Sequence, residues 1–213
     1  MLRQKNFTTA IILLLSFILW TISVRFIDLK AICPQESIVG LSKLNDFIHN
    51  FIGVNLTLYN ITDWLGLVPF AVCFGFGVFG FVQLIKRKNI LKVDYDILVL
   101  GGLYIVVIAV YLLFETVVIN HRPVLINGVL EASYPSSTTM LSLCVIPTAI
   151  MQFKKRIKNK TAKNIIIFFA VIFTTFMVVG RVISGVHWIT DIIGGALFSA
   201  GMVVMYYSVI KLR

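Results

Sequence analysis

Three polar fragments in the C-terminal half of the chain carry residue types that can do chemistry: Glu115 to Pro123 (ETVVINHRP), Tyr134 to Thr138 (YPSST) and Arg181 to Asp191 (RVISGVHWITD). In the third, His187 stands six residues after Arg181 and four before Asp191. On a helix, a spacing of four brings a carboxylate one turn from the imidazole. A histidine with an orienting acid is a nucleophile set, and an arginine beside it suits the oxygens of a phosphoryl group. In the second fragment, Pro135, Ser136 and Ser137 read as a Ser-rich turn opening a helix. Such a turn offers backbone N–H groups and hydroxyls to an anion, helped by the helix dipole. The first fragment adds Glu115 and Arg122, two helical turns apart and so expected roughly on one face of a helix end.

The elements that must position these fragments are apolar. Of 213 residues, 59% are hydrophobic and 13% charged, with a mean hydropathy of +0.95. A soluble domain is about 45–50% apolar and about 25% charged, so the chain reads as an integral membrane protein. Crossing a bilayer takes about 20 apolar residues. Such runs lie near 7–24, 64–85, 97–114, 139–153, 165–182 and 189–210, the fourth being the shortest. The expected fold is all-α, one domain over 1–213 built as a bundle of six transmembrane helices. The first run follows Arg3 and Lys5 as a signal peptide would, but it lacks a small-x-small cleavage site, so it reads as a retained helix.

A net charge of +10 raises the question of nucleic acid, and its distribution answers it. Fourteen of the nineteen Lys and Arg fall in four groups: Arg3 and Lys5; Lys86, Arg87, Lys88 and Lys92; the run Lys154 to Lys163; and Lys211 and Arg213. Six alternating helices put every group on one side, which the positive-inside rule makes cytoplasmic. No nucleic acid partner is expected. Both termini are then expected in the cytoplasm of a multi-pass cell-membrane protein, with the three fragments facing outside. The remaining cations are Arg25, Lys30, Lys43, Arg122 and Arg181. Cations beside apolar helix ends on the disfavoured side call for an anionic ligand at the outer leaflet.

Between the first two runs, Leu41, Leu44, Phe47, Ile48, Phe51 and Ile52 recur at helical spacing, with Lys43, Asn45, Asp46, His49 and Asn50 on the other face. That pattern predicts an interfacial helix on the outer leaflet, with a packing helix on the solvent side as the alternative. Gly75, Gly77 and Gly80 match a dinucleotide-binding pattern but sit inside an apolar run. Close helix packing through small residues is expected there, as at Gly194, Gly195 and Gly201. Cys33, Cys73 and Cys144 are too few and too scattered for a disulfide framework or a metal site.

The spacing of Arg181, His187 and Asp191 resembles the C-terminal motif of the type 2 phosphatidic acid phosphatase family, and the first two fragments resemble its other two motifs. The resemblance implies that His187 is the nucleophile and that Asp191 fixes its tautomer and stabilises its positive charge. It implies that Arg122 and Arg181 neutralise the phosphoryl oxygens, with Ser136, Ser137 and Thr138 completing the substrate cradle. No metal and no other cofactor is implied. Where the family has a lysine seven residues before the arginine, this chain has Glu115; where it has a histidine closing the second motif, this chain has Thr138. A carboxylate about 4 Å from a phosphate is repelled by roughly 4 kcal/mol at an effective dielectric near 20. Glu115 therefore turns away, pairs with Arg122, carries a proton and acts as a substitute general acid, or meets a cationic head group. His121 is the other candidate acid.

The expected activity is hydrolysis of a lipid phosphate or pyrophosphate at the outer leaflet through a phosphohistidine, with membrane lipids as surroundings. An isoprenoid pyrophosphate fits the missing histidine, because a leaving phosphate needs less protonation than an alkoxide. The alternatives are a phosphotransferase using the same intermediate and a lipid-phosphate binder or transporter without chemistry.

Overall fold

The computed structural model describes residues 2–32 and 34–212; Cys33 and Arg213, which enter the cysteine and charge readings, lie outside them. Eight α-helices carry the fold among the described residues: α1 (Leu2–Phe26), α2 (Ser42–Ile52), α3 (Leu56–Leu65), α4 (Leu67–Arg87), α5 (Tyr95–Thr116), α6 (Ser137–Arg156), α7 (Lys160–Ser184) and α8 (Ile189–Ile210). Among the described residues, five spans are long and apolar enough to cross a membrane: α1, the α3–α4 pair taken together as Leu56–Arg87, α5, α7 and α8. The all-α membrane bundle expected from the sequence is thus found.

The sixth expected span falls on α6, which has the length to cross but a more polar composition. Its position explains this. α6 packs against α4, α7 and α8, and Thr138, Thr139, Ser142, Thr148 and Gln152 are all buried inside the protein. A helix enclosed by other helices needs hydrogen-bond partners for its polar groups rather than a lipid-compatible surface. Thr148 Oγ1 pairs with the Tyr104 hydroxyl at 3.2 Å and also donates to the Cys144 carbonyl at 2.8 Å. Ser199 Oγ donates to the Met140 carbonyl at 2.9 Å, and Gln152 donates to the Tyr206 hydroxyl.

At the Lys- and Arg-rich end the helices are tied by ion pairs. Asp96 holds Lys155 at 3.0 Å and Arg156 at 2.9 Å, and Asp94 holds Arg87 at 2.8 Å. Hydrogen bonding to Arg87 keeps the Asp94 carboxyl below its usual range.

The glycines divide into two kinds. A methyl group at Gly194 would lie 2.6 Å from the Tyr134 ring, and one at Gly201 would lie 2.8 Å from Leu14. Gly201 thus lets α8 approach α1 closely, and Gly194 seats the Tyr134 ring from the loop before α6; overfilling either contact costs about 1–3 kcal/mol. Gly75 and Gly77 depart from the expectation: nothing lies within 4 Å of where their side chains would be, and the same holds for Gly101 and Gly102 on α5. The small residues there leave an apolar groove between α4 and α5 instead of bringing the helices together.

Helix α2 forms where the periodicity predicts it; of its polar side Asn45 is turned inward, while Lys43, Asp46 and Asn50 stay exposed. Asn45 is buried and donates to the Gly40 carbonyl and to Thr190 Oγ1 on α8. Phe47 and Phe51 point outward, the latter 84% exposed. An interfacial helix needs its apolar side free in this way. Helix α3 is a departure, since residues 56–63 read as part of the stretch outside the membrane. Its polar Thr57, Asn60 and Asp63 break the apolar run, yet it packs along α7.

Candidate functional site

Helix α5 stops at Thr116, and the chain then makes a short antiparallel hairpin before α6. Arg122 N donates to the Glu131 carbonyl at 3.0 Å and Ser133 N to the Asn120 carbonyl at 3.0 Å. The turn is Asn127-Gly128, both with positive φ (52° and 79°), the conformation that two-residue hairpin turns demand and that Asn-Gly supplies. This hairpin, and not the end of α5, delivers Arg122. Glu115 and Arg122 therefore do not share a helical face as the spacing suggested.

Opposite the hairpin, α7 ends at Ser184 and Gly185 turns the chain with φ 62°. Any Cβ there would lie 1.8 Å from the Gly53 carbonyl oxygen. The turn places His187 just ahead of α8, 6% exposed. Its Nδ1 lies 3.1 Å from the Ser133 carbonyl oxygen, and its Nε2 lies 3.2 Å from Arg122 Nη1. A carbonyl can only accept and a guanidinium can only donate. The imidazole is therefore neutral, with the proton on Nδ1 and a lone pair on Nε2.

Asp191 departs from its expected role. Its Oδ2 is 3.6 Å from His187 Nδ1 but accepts the Trp188 N–H at 3.0 Å. His187 precedes the helix instead of lying on it, so the carboxylate in the first turn of α8 is drawn to a free helix-end N–H, as in a capping box. The Ser133 carbonyl fixes the tautomer, and the Asp191 carboxyl stands behind it.

Burial, followed by the charges of Arg122 and Arg181, holds the His187 pKa well below its ordinary 6.5. The unfolded chain then binds this proton more readily than the folded one. His187 contributes stability that is present above about pH 6.5 and lost as the pH falls below it. For turnover, the acid limb of kcat/KM belonging to His187 is expected below pH 6.5. A limb at or above that value that traces to His187 would contradict the geometry.

The two arginines are held differently. Arg122 Nε stands 3.0 Å from Glu131 Oε2 without being aligned to donate to it. Arg181 is 1% exposed and donates through Nη2 to Asp63 Oδ1 at 2.7 Å and to Thr138 Oγ1 at 2.5 Å. Its Nε and Nη1 are buried with no partner. Both guanidinium groups lie over the ring of Tyr59, at 4.8 Å for Arg181 and 5.5 Å for Arg122. Buried unpartnered donors on a fixed cation suit the oxygens of an anion.

The other expected residues separate. Ser137 lines the cleft with His187, Arg122 and Glu115. Glu115 is exposed at its mouth, and Glu131 stands beside Arg122, where pairing was one of the alternatives open for Glu115. Thr138 reaches the site only through Arg181. Ser136 is fully buried; its N–H donates to the Asp191 carbonyl at 3.1 Å and its Oγ accepts from Thr139, so it ties α6 to α8 and lines no cleft. His121 bridges Ala132 and its carbonyl accepts the Trp188 indole N–H at 2.7 Å; its side chain does not line the cleft either. Sequence reasoning missed Tyr59, Asp63, Glu131 and Ser133. For the hairpin that carries Glu131 and Ser133 a signal existed in Asn127-Gly128, whereas a carbonyl that orients a histidine has no side-chain signature.

Residues 115–213 match the PAP2 superfamily, which bears out the resemblance read from the three fragments. Among solved structures, the first transmembrane PAP2 type phosphatidylglycerolphosphate phosphatase from Bacillus subtilis is similar over 96% of this chain and 97% of its own, with a TM-score of 0.56 and 18% identity. At that identity the likeness is one of fold. No curated protein matches the sequence.

Proposed function

For a chain whose residues 115–213 carry the PAP2 superfamily pattern, we propose a membrane lipid phosphatase that works through a phosphohistidine on His187. The observation that carries this reading is the lone pair on Nε2, fixed by the Ser133 carbonyl and set beside Arg122. Nε2 attacks phosphorus and the bond from phosphorus to the leaving oxygen breaks. Positive charge then develops on the imidazole 3.6 Å from Asp191. Water next attacks the phosphohistidine, releasing inorganic phosphate and restoring the lone pair. Arg122 and the free donors of Arg181 stabilise the charge on the phosphoryl oxygens throughout. The family match and the shared fold support a lipid phosphatase at this general level.

A lipid substrate is supported by the α4–α5 groove. Its lining ends on α5 at Ile108, one helical turn from Tyr111 in the cleft wall. A head group in the cleft can thus lie on the same helix as an apolar tail in the groove.

The leaving oxygen has only one carboxylic acid in the cleft lining to protonate it, Glu115. An isoprenoid pyrophosphate, whose leaving group is a phosphate, is therefore the favoured substrate. With purified protein, release of inorganic phosphate from the pyrophosphate is expected to be at least about tenfold faster than from the monophosphate of the same chain, following the leaving-group argument for general acids. Glu115→Gln should widen the gap by slowing the monophosphate. Equal rates would contradict the leaving-group argument, and label passed to another lipid in place of phosphate release would point to a phosphotransferase.

The cleft is assigned to the outer face and the Lys- and Arg-rich ends to the cytoplasm, in keeping with the positive-inside rule. Cysteines at Asn127, on the hairpin tip, and at Lys158, between α6 and α7, test this in a cysteine-free background; both positions are exposed. An impermeant thiol reagent added outside cells is expected to label the first and spare the second. The reverse pattern would invert the orientation.

A further inference from the structure

Asp63 is the acid on α3 that reaches the site, 118 positions away in sequence from the arginine it holds. It lies four residues after Tyr59, so one face of α3 presents a ring under Arg181 and a carboxylate beside it. A guanidinium has five N–H donors in a rigid plane. The Nη2 atom is occupied by Asp63 Oδ1 and Thr138 Oγ1, both at hydrogen-bond distance, while Nε and Nη1 are left without partners inside the protein. Fixing one corner of a planar group over a ring fixes where the other donors point.

We propose that Asp63 is a positioning residue: it locks the Arg181 guanidinium so that its remaining donors, Nε and Nη1, are held in fixed directions for the oxygens of a phosphoryl group. The inference rests on the phosphatase reading above and extends it to α3. Thr138 alone cannot do this, since one hydroxyl at one corner leaves the group free to swing about that contact. The Asp63 side chain is 57% exposed, so water screens its charge. Its contribution comes from where its oxygen sits more than from a field. The charge also carries a cost, because a carboxylate near an anion site repels the ligand. Removing the charge and removing the acceptor must therefore be separated.

The probe is orthovanadate, a phosphate analogue, titrated into the purified full-length chain in detergent and followed by calorimetry. Asp63→Asn removes the charge and keeps an acceptor oxygen; Asp63→Ala removes both. Because Asp63 is largely exposed, both variants are expected to fold, and thermal unfolding checks this directly. Asp63→Ala is expected to bind orthovanadate about tenfold more weakly than Asp63→Asn, while Arg181→Ala binds more weakly than either. Equal binding by Asp63→Ala and Asp63→Asn, with Arg181→Ala still impaired, would overturn the positioning role and leave the phosphate site standing. If Arg181→Ala binds like the parent, or the parent does not bind, the phosphate-site reading falls and takes this inference with it.

Discussion

Replacing His187 by alanine is expected to lower phosphate release from a lipid phosphate or pyrophosphate by at least about a thousandfold, the scale seen when a covalent nucleophile is removed. No other side chain that lines the cleft offers a lone pair fixed beside a guanidinium. The variant should still fold. The imidazole does make two hydrogen bonds, to the Ser133 carbonyl at 3.1 Å and from Arg122 Nη1 at 3.2 Å, and leaving each partner unpaired costs about 1–3 kcal/mol. The helices around it are held by contacts that do not involve the ring, such as Trp20 to the Thr190 carbonyl and Thr21 to Tyr134. A small drop in melting temperature with near-complete loss of turnover is the expected pair of results. Retention of more than about a tenth of the activity would remove His187 from the mechanism.

Arg122→Lys and Arg181→Lys are expected to lower kcat/KM by about a hundredfold each, equivalent to about 2.7 kcal/mol of transition-state stabilisation. An ammonium is a single point of charge and cannot place two parallel N–H groups on two oxygens. For Arg181 there is a second demand, because Nη2 is already committed to Asp63 and Thr138 and the phosphoryl oxygens must be met by the donors that remain. A lysine cannot satisfy both sets. Arg122 has a second duty. Its Nη1 covers the His187 lone pair at 3.2 Å in the free protein, and an arriving phosphoryl group must draw it away to uncover the nucleophile. Steady-state kinetics should show the Arg122→Lys defect in kcat as well as KM. A change confined to KM would mean that Arg122 only binds.

The apolar runs revealed most of the spanning helices because lipid leaves a simple signature: the runs at 97–114, 165–182 and 189–210 lie within α5, α7 and α8. The site was legible where side-chain types are distinctive. Arg122, Arg181, His187 and Asp191 come together from three fragments. What stayed hidden has physical causes. Residues 56–63 are too polar to read as a span, so α3 and with it Tyr59 and Asp63 were lost. The four-residue spacing from His187 to Asp191 suggests a shared helix, but α8 begins only at Ile189, and the Ser133 carbonyl makes the bond that the spacing assigns to the acid. Ser136 stands in the expected turn, yet its N–H is used up by the Asp191 carbonyl. Glycine spacing in α4 could not say whether a partner helix or a groove lies opposite.

Under the proposed mechanism, His187 Nε2 becomes phosphorylated during turnover. Purified protein incubated with a lipid substrate radiolabelled in its transferable phosphate, then quenched in alkali and digested, is expected to yield one acid-labile, alkali-stable labelled peptide containing His187. The label should be absent from His187→Ala and should accumulate in preference to free phosphate when quenching is fastest. Steady release of phosphate by the parent protein with no label on His187 at any quench time, or with the label on another residue, would contradict the account.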